Sequence, residues 1–307
     1  MTASAFNSLM VVRPMAVTAD MLVDTNVPED DCPAWSSGAA YAVDDRVIFG
    51  GAIWQAVQGP NTGHQPPTGA ANDGWWLRVS ATNRWKAFDD AVNTQTAQAD
   101  SISYRVRAGT VISALAALNV TGATAVRVRV LDPTYGAVYD RTAELAPYPV
   151  ESDWWEFFFG EWIYPSQSIF DDLPNFPFAD ILIDFTGSAD LAVGVIVLGN
   201  ARNFGYGVKL GAQLGFNDYS RKDKDDFGNI TIVQRAYSRR DGFSMMIDRT
   251  EVDACNAFFS DLRATVILCV ASNYYESLTI FGLCKSFNVL ISYYQYSDCD
   301  IEMDGVI

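Results

Sequence analysis

Apolar and polar side chains alternate through the middle of the chain. In 101–106, Ile102, Tyr104 and Val106 fall on one face, with Ser103 and Arg105 on the other. The run 126–130 reads Val-Arg-Val-Arg-Val. A period of two is the mark of a strand with one buried face. The stretch 191–198 is apolar on both faces and suits a central strand. Residues 154–159 and 179–185 are further predicted strands. Asp132-Pro133-Thr134-Tyr135-Gly136 predicts a turn, because proline fixes φ and glycine supplies a positive one. Residues 97–202 are therefore expected to form a jelly-roll-like β-sandwich.

The period changes towards the C-terminus. Val252, Cys255, Phe259 and Leu262 follow a helical spacing, which predicts one helix over 251–263 with a single buried stripe. Thr250 and Asp253 form a variant of the capping box at its start. Strands are predicted at 230–234, 243–247, 265–270, 278–283, 287–292 and 299–303. Residues 229–307 thus read as an α+β assembly domain. Before the sandwich, residues 1–34 read as an extended arm punctuated by Pro14, Pro28 and Pro33, in which Met10-Val11-Val12 could add one strand. Such an arm needs a neighbouring subunit or domain to order it. Residues 35–80 form a compact Trp-rich β module, 81–96 a connector and 203–228 a crossover with a charged loop at 220–226. The fold class expected is mainly β and multidomain, with one main helix.

Composition narrows the functions. The 307 residues are 49% hydrophobic and 19% charged, as in a globular chain. Aromatics make up 13%, with eight Trp, which suits β architecture or a sugar-contacting surface. The net charge of −16 opposes nucleic-acid binding and anionic membranes. No apolar run reaches ~18 residues, so membrane insertion is not expected. The first ten residues lack the basic and apolar regions of a signal peptide. Cys32, Cys255, Cys269, Cys284 and Cys299 match no zinc spacing and read as free thiols.

Candidate catalytic groups are sparse. The single histidine, His64, lies in a Gly/Pro loop without a Ser or Cys constellation in sequence. Asp226-Phe227-Gly228 lacks the other kinase motifs. Gly205-Tyr206-Gly207 with Gly211 fails the dinucleotide spacing. Asp223, Asp225 and Asp226 lack the closing Glu of a calcium loop. Glu151, Asp153, Glu156 and Glu161 lie among aromatics and are the one set that could serve glycoside hydrolysis; solvent-facing acids on a strand explain them more simply. No catalytic residue, metal or cofactor is expected.

Two resemblances sharpen the picture. Trp35, Tyr41-Ala42-Val43-Asp44-Asp45-Arg46-Val47, Trp54-Gln55-Ala56, Thr62-Gly63-His64-Gln65-Pro66 and Trp76-Leu77-Arg78-Val79 resemble, in order and spacing, the chitin-binding modules of carbohydrate-binding module family 5/12. Asp44 replaces the turn glycine of that pattern, and Val57-Gln58-Gly59-Pro60-Asn61 stands where the family carries sugar-stacking aromatics. The resemblance implies glycan binding with Trp54, Trp75 and Trp76 as stacking faces. The chain as a whole resembles tail-associated proteins of tailed phages. That likeness runs through Val12-Arg13-Pro14, Asn26-Val27-Pro28-Glu29, Pro33-Ala34-Trp35, Asn83-Arg84-Trp85-Lys86-Ala87-Phe88-Asp89, Tyr219-Ser220-Arg221-Lys222, Asp226-Phe227-Gly228-Asn229 and Tyr275-Glu276-Ser277. It implies a non-enzymatic virion protein of the tail tip, baseplate or fibre-attachment region, assembled in the host cytoplasm. The partners implied are other tail or baseplate proteins, further copies in a symmetric ring, and a host surface glycan. A glycan-binding adsorption protein and a polysaccharide depolymerase are the alternatives.

Overall fold

A computed structural model describes residues 8–69, 72–149, 153–160, 162–224, 228, 230–272, 275–291 and 293–306. The chain is mainly β, with 54% strand and 7% helix. It divides into two compact units, Ala16–Ile196 and Met1–Met15 with Val197–Ile307.

In the first unit, Ser101–Arg107 pairs antiparallel with the start of the long strand Asp180–Phe204, from Asp180↔Arg107 to Thr186↔Ser101. Leu22–Thr25 pairs with Ser101–Arg107 as well. A second branch joins Ala114–Asp132 to Gly136–Glu144 and to Ser168–Phe170. The alternation read from sequence is the one observed: Ile102, Tyr104, Val106, Val126, Val128 and Val130 are buried, and every residue of 191–198 is buried. The turn at 133–135 forms on Asp132, whose carboxylate accepts the backbone N–H groups of Thr134 and Tyr135 at 2.8 and 3.0 Å.

The predicted strand at 154–159 is instead a short helix, Trp154–Phe159. Trp-Trp-Glu-Phe-Phe-Phe has no alternation that would assign a strand one buried face. The Asp153 carboxylate accepts the Trp155 N–H at 2.8 Å and starts the helical turn.

The second unit is built on an antiparallel sheet. Its order is residues 199–204, Leu9–Pro14, Val266–Val270, Thr279–Leu290, Tyr296–Gly305, Tyr237–Asp248 and Gln213–Asp218. The arm is thus ordered by its own chain. Leu9–Pro14 pairs on one side with 199–204 and on the other with Val266–Val270, and Leu9, Met10, Val11 and Val12 are buried. The strands predicted at 278–283 and 287–292 are a single strand, irregular between Cys284 and Ser286; Ser292 lies outside the described residues. Helix Val252–Asp261 packs Cys255 and Phe259, followed by Leu262, against Leu9, Val11, Met245, Ile301 and Met303. The capping box does not form. Thr250 Oγ1 donates to Asp248 at 2.7 Å instead, and no side chain caps the helix. Within the expected crossover, Arg221–Lys224 is a strand paired with Ile230–Val233 rather than a charged loop. All five cysteines are free, and Cys255, Cys269 and Cys299 are buried.

Among the described residues each unit buries one aspartate, Asp180 and Asp241, and the two carboxyls shift in opposite directions. Burial pushes Asp180 up, but Arg107 and Arg105 donate to it at 2.6 and 2.8 Å and hold it below the usual carboxylate range. Asp241 is buried with Oδ1 unpartnered and Arg239 3.4 Å from Oδ2; burial pushes it up to about 6. Folded Asp241 therefore holds a proton between pH ~4 and ~6 that the unfolded chain has lost, so stability falls as pH rises through that window. Folded Asp180 is depressed, so its contribution is present above its unfolded value near 4 and is lost as pH falls through its folded value. Asp241→Asn should stabilise by up to about 3 kcal/mol at pH 7 and by little at pH 4. Asp180→Asn should destabilise at pH 7 by about 2–3 kcal/mol, because two guanidiniums lose their buried counter-charge. Calorimetric melting of both variants at the two pH values checks the opposite signs.

Candidate binding surfaces

The Trp-rich module has a three-stranded sheet, Arg46–Phe49, Ala52–Ala56 and Trp76–Ala81, with a two-stranded ladder of Ala40–Tyr41 and Asn61–Thr62. Gly50 and Gly51 both take positive φ, as a two-residue hairpin turn requires. A Cβ on Gly51 would also strike the Trp85 ring at 2.8 Å. Asp44 adopts the left-handed conformation, φ 72°, that its place in the turn demands.

Two of the three tryptophans expected to stack on sugar are core residues. Trp54 is 1% exposed and Trp76 0%. Trp54 Nε1 donates to the Phe49 carbonyl at 3.1 Å and Trp76 Nε1 to the His64 carbonyl at 2.8 Å. They pack with Val47, Ala52 and Ala56. Fewer than fifty residues must make a core here, and the largest side chains fill it. Trp75 is half-buried. His64 lies parallel to its ring, with centroids 3.8 Å apart and planes 11° apart. The Asp73 carboxylate accepts the N–H groups of both Trp75 and Trp76, at 2.8 and 2.6 Å, and fixes their backbone. Trp76 opens its strand and points into the core, whereas Trp75, just before the strand, packs on the core's edge and is only partly buried. The Trp75–His64 pair is the aromatic platform that remains at the module's surface.

A second surface lies where the sequence predicts a strand and the chain forms a helix. Tyr148–Pro149 pairs with Trp162–Ile163. Between these strands lies helix Trp154–Phe159, with Trp154 81%, Trp155 70% and Phe159 71% exposed. The rings meet at i, i+4: Trp154 with Phe158, nearly parallel at 6.3 Å, and Trp155 with Phe159 at 4.5 Å. The sequence signal was a run of five aromatics in six positions without a period.

The acids considered for hydrolysis do not form a described pair. Glu151, Glu161 and the side chain of Glu156 lie outside the described residues, and Asp153 holds the helix start. Asp225, Asp226 and Phe227 also lie outside them, while Asp223 pairs with Arg221 at 2.6 Å. Among the described residues, no group of three His, Cys, Asp or Glu is placed to hold a metal ion. No helix among them is long and apolar enough to cross a membrane.

Against known proteins, no family model matches the chain and no curated protein matches it.

The burial pattern separates the tryptophans by experiment. Trp54→Ala should lower the stability of the module by about 3–5 kcal/mol, as a core truncation does. Trp75→Ala should cost less, about 1–2 kcal/mol, since its ring is only partly buried against that core. Melting followed by Trp fluorescence or calorimetry distinguishes the two.

Proposed function

We propose that this chain is a non-enzymatic structural component of a tailed-phage tail, in the tail tip, baseplate or fibre-attachment region, assembling with further copies and with other tail proteins. The tail assignment rests on the ordered sequence phrases from Val12-Arg13-Pro14 to Tyr275-Glu276-Ser277. The observation that carries the assembling role is apolar exposure on regular strands. Gln213–Asp218 is the last strand of its sheet and exposes Leu214 and Phe216. The hairpin of Arg221–Lys224 with Ile230–Val233 has all eight of these residues exposed, with Ile230 and Ile232 at 64%. A two-stranded hairpin with neither face covered is marginal in water, and large exposed apolar patches mark interaction sites. A partner that covers these strands supplies the missing burial.

A cryo-EM reconstruction of virions is the test. Ordered density for this chain in the tail is the expected result, and absence of the chain from virions would sink the assignment.

A second reading, glycan binding during adsorption, is favoured by the Trp75–His64 platform on a module resembling chitin-binding ones. Trp75→Ala, shown by melting to remain folded, should then abolish retention on chitin or host glycan. Retention unchanged from wild type removes this reading. Release of reducing ends from host polysaccharide would instead support the depolymerase alternative.

A further inference from the structure

Two surfaces of the chain have complementary chemistry. One is the aromatic helix. Residues 148–164 contain eight of the chain's aromatics, four acids and no Lys or Arg. From 142 to 201 the chain has ten acids and no cationic residue at all. Trp154, Trp155, Phe158 and Phe159 therefore stand out from a segment of uniformly negative charge.

The other is one face of the hairpin. Its register pairs Lys222 with Ile232 and Lys224 with Ile230. Side chains alternate across a strand, so these four share a face. The opposite face holds Arg221 and Asp223, which pair with each other at 2.6 Å, beside Thr231 and Val233. The Lys/Ile face is thus cationic and aliphatic. Lys222 also reaches Asp218 at 3.2 Å, an exposed pair that a stronger partner can displace at little cost.

We propose that the Lys222, Lys224, Ile230 and Ile232 face of one copy docks on the aromatic helix of a second copy. Trp154 and Trp155 receive the ammonium groups over their ring faces, where cation–π attraction adds to the pull of the acidic segment. The isoleucines cover the phenylalanine rings. This deepens the assembly role above and rests on it. The two contacting surfaces differ, so the contact is heterologous: each copy offers one donor face and one acceptor face, and repetition closes into a ring or runs on as an open chain. An anionic lipid surface is a poorer occupant of the aromatic helix, because the acidic segment repels it.

The test uses two full-length variants and sedimentation velocity. Lys222→Glu/Lys224→Glu disables the donor face, and Trp154→Ser/Trp155→Ser disables the acceptor face. Both sites are exposed, and circular dichroism with melting confirms that each variant folds. Wild type should self-associate, less so in high salt. Each variant alone should lose about thirty-fold or more in self-association, as when an interface anchor is removed. Mixed in equal amounts, the variants should form a one-to-one dimer and nothing larger, because one intact donor face and one intact acceptor face remain in the pair. A mixture that stays monomeric, or variants that assemble like wild type, overturns the docking while leaving the tail assignment standing. A wild-type chain that is monomeric yet ordered in virions also overturns it, whereas absence from virions defeats the tail assignment itself.

Discussion

The C-terminal unit depends on one strand that is remote from it in sequence. Leu9–Pro14 lies between residues 199–204 and Val266–Val270 and gives both neighbours their ladder partners. Without it, two interior strands would present unpaired N–H and C=O groups, and the core contributed by Leu9 and Val11 would be open. Close approach follows: a Cβ at Gly199 would strike the Arg13 carbonyl, so the position opposite Pro14 has room for glycine alone. This pairing joins residues 9–14 to strands some 190 and 260 residues further along, and a closure of such long range is slow to form.

Much of the β framework was legible because it is local. Val126–Val130 and 191–198 declare their faces through a period of two or an unbroken apolar run, and the stripe Val252, Cys255, Phe259 and Leu262 announces the one long helix. What was hidden is non-local. No property of Met10-Val11-Val12 says which strands will flank it, and the division near Val197 falls inside the strand Asp180–Phe204, where composition does not change. Aromatic residues gave the least reliable signal. The same residue type forms the core at Trp54 and Trp76 and the outer surface at Trp154 and Trp155. For the first pair, the alternation Ala52, Trp54, Ala56 held the answer, since one parity must face inward. For the second, a run with no period carried no parity to read.

The buried carboxyls Asp180 and Asp241 show how partners decide the sign of a charge's contribution. Both are nearly inaccessible. Asp180 meets two guanidiniums with good geometry, and the desolvation cost is offset. Asp241 meets one, at 3.4 Å, and that arginine also donates to the carbonyls of Thr279 and Ser277. Burial pushes its carboxyl towards the proton, and a shared cation that leaves the second oxygen unpaired does not offset that.

The proposed self-assembly of an acidic chain faces a conflict. A net charge of −16 keeps copies apart and in solution, yet a repeating contact must bring them together. Segregating the charges resolves it. The stretch from 142 to 201 has no cation, whereas Lys222 and Lys224 share one face of an exposed hairpin with Ile230 and Ile232. In the proposed assembly, the negative charge of this segment works before docking as a gatekeeper against aromatic surfaces meeting each other. On docking, the same acids select a cationic partner over an apolar one, so solubility and specificity draw on one set of charges. The exposed aromatic helix then needs no separate cover while the subunit is free: like-charged segments repel, and only the oppositely charged face satisfies both the rings and the carboxylates.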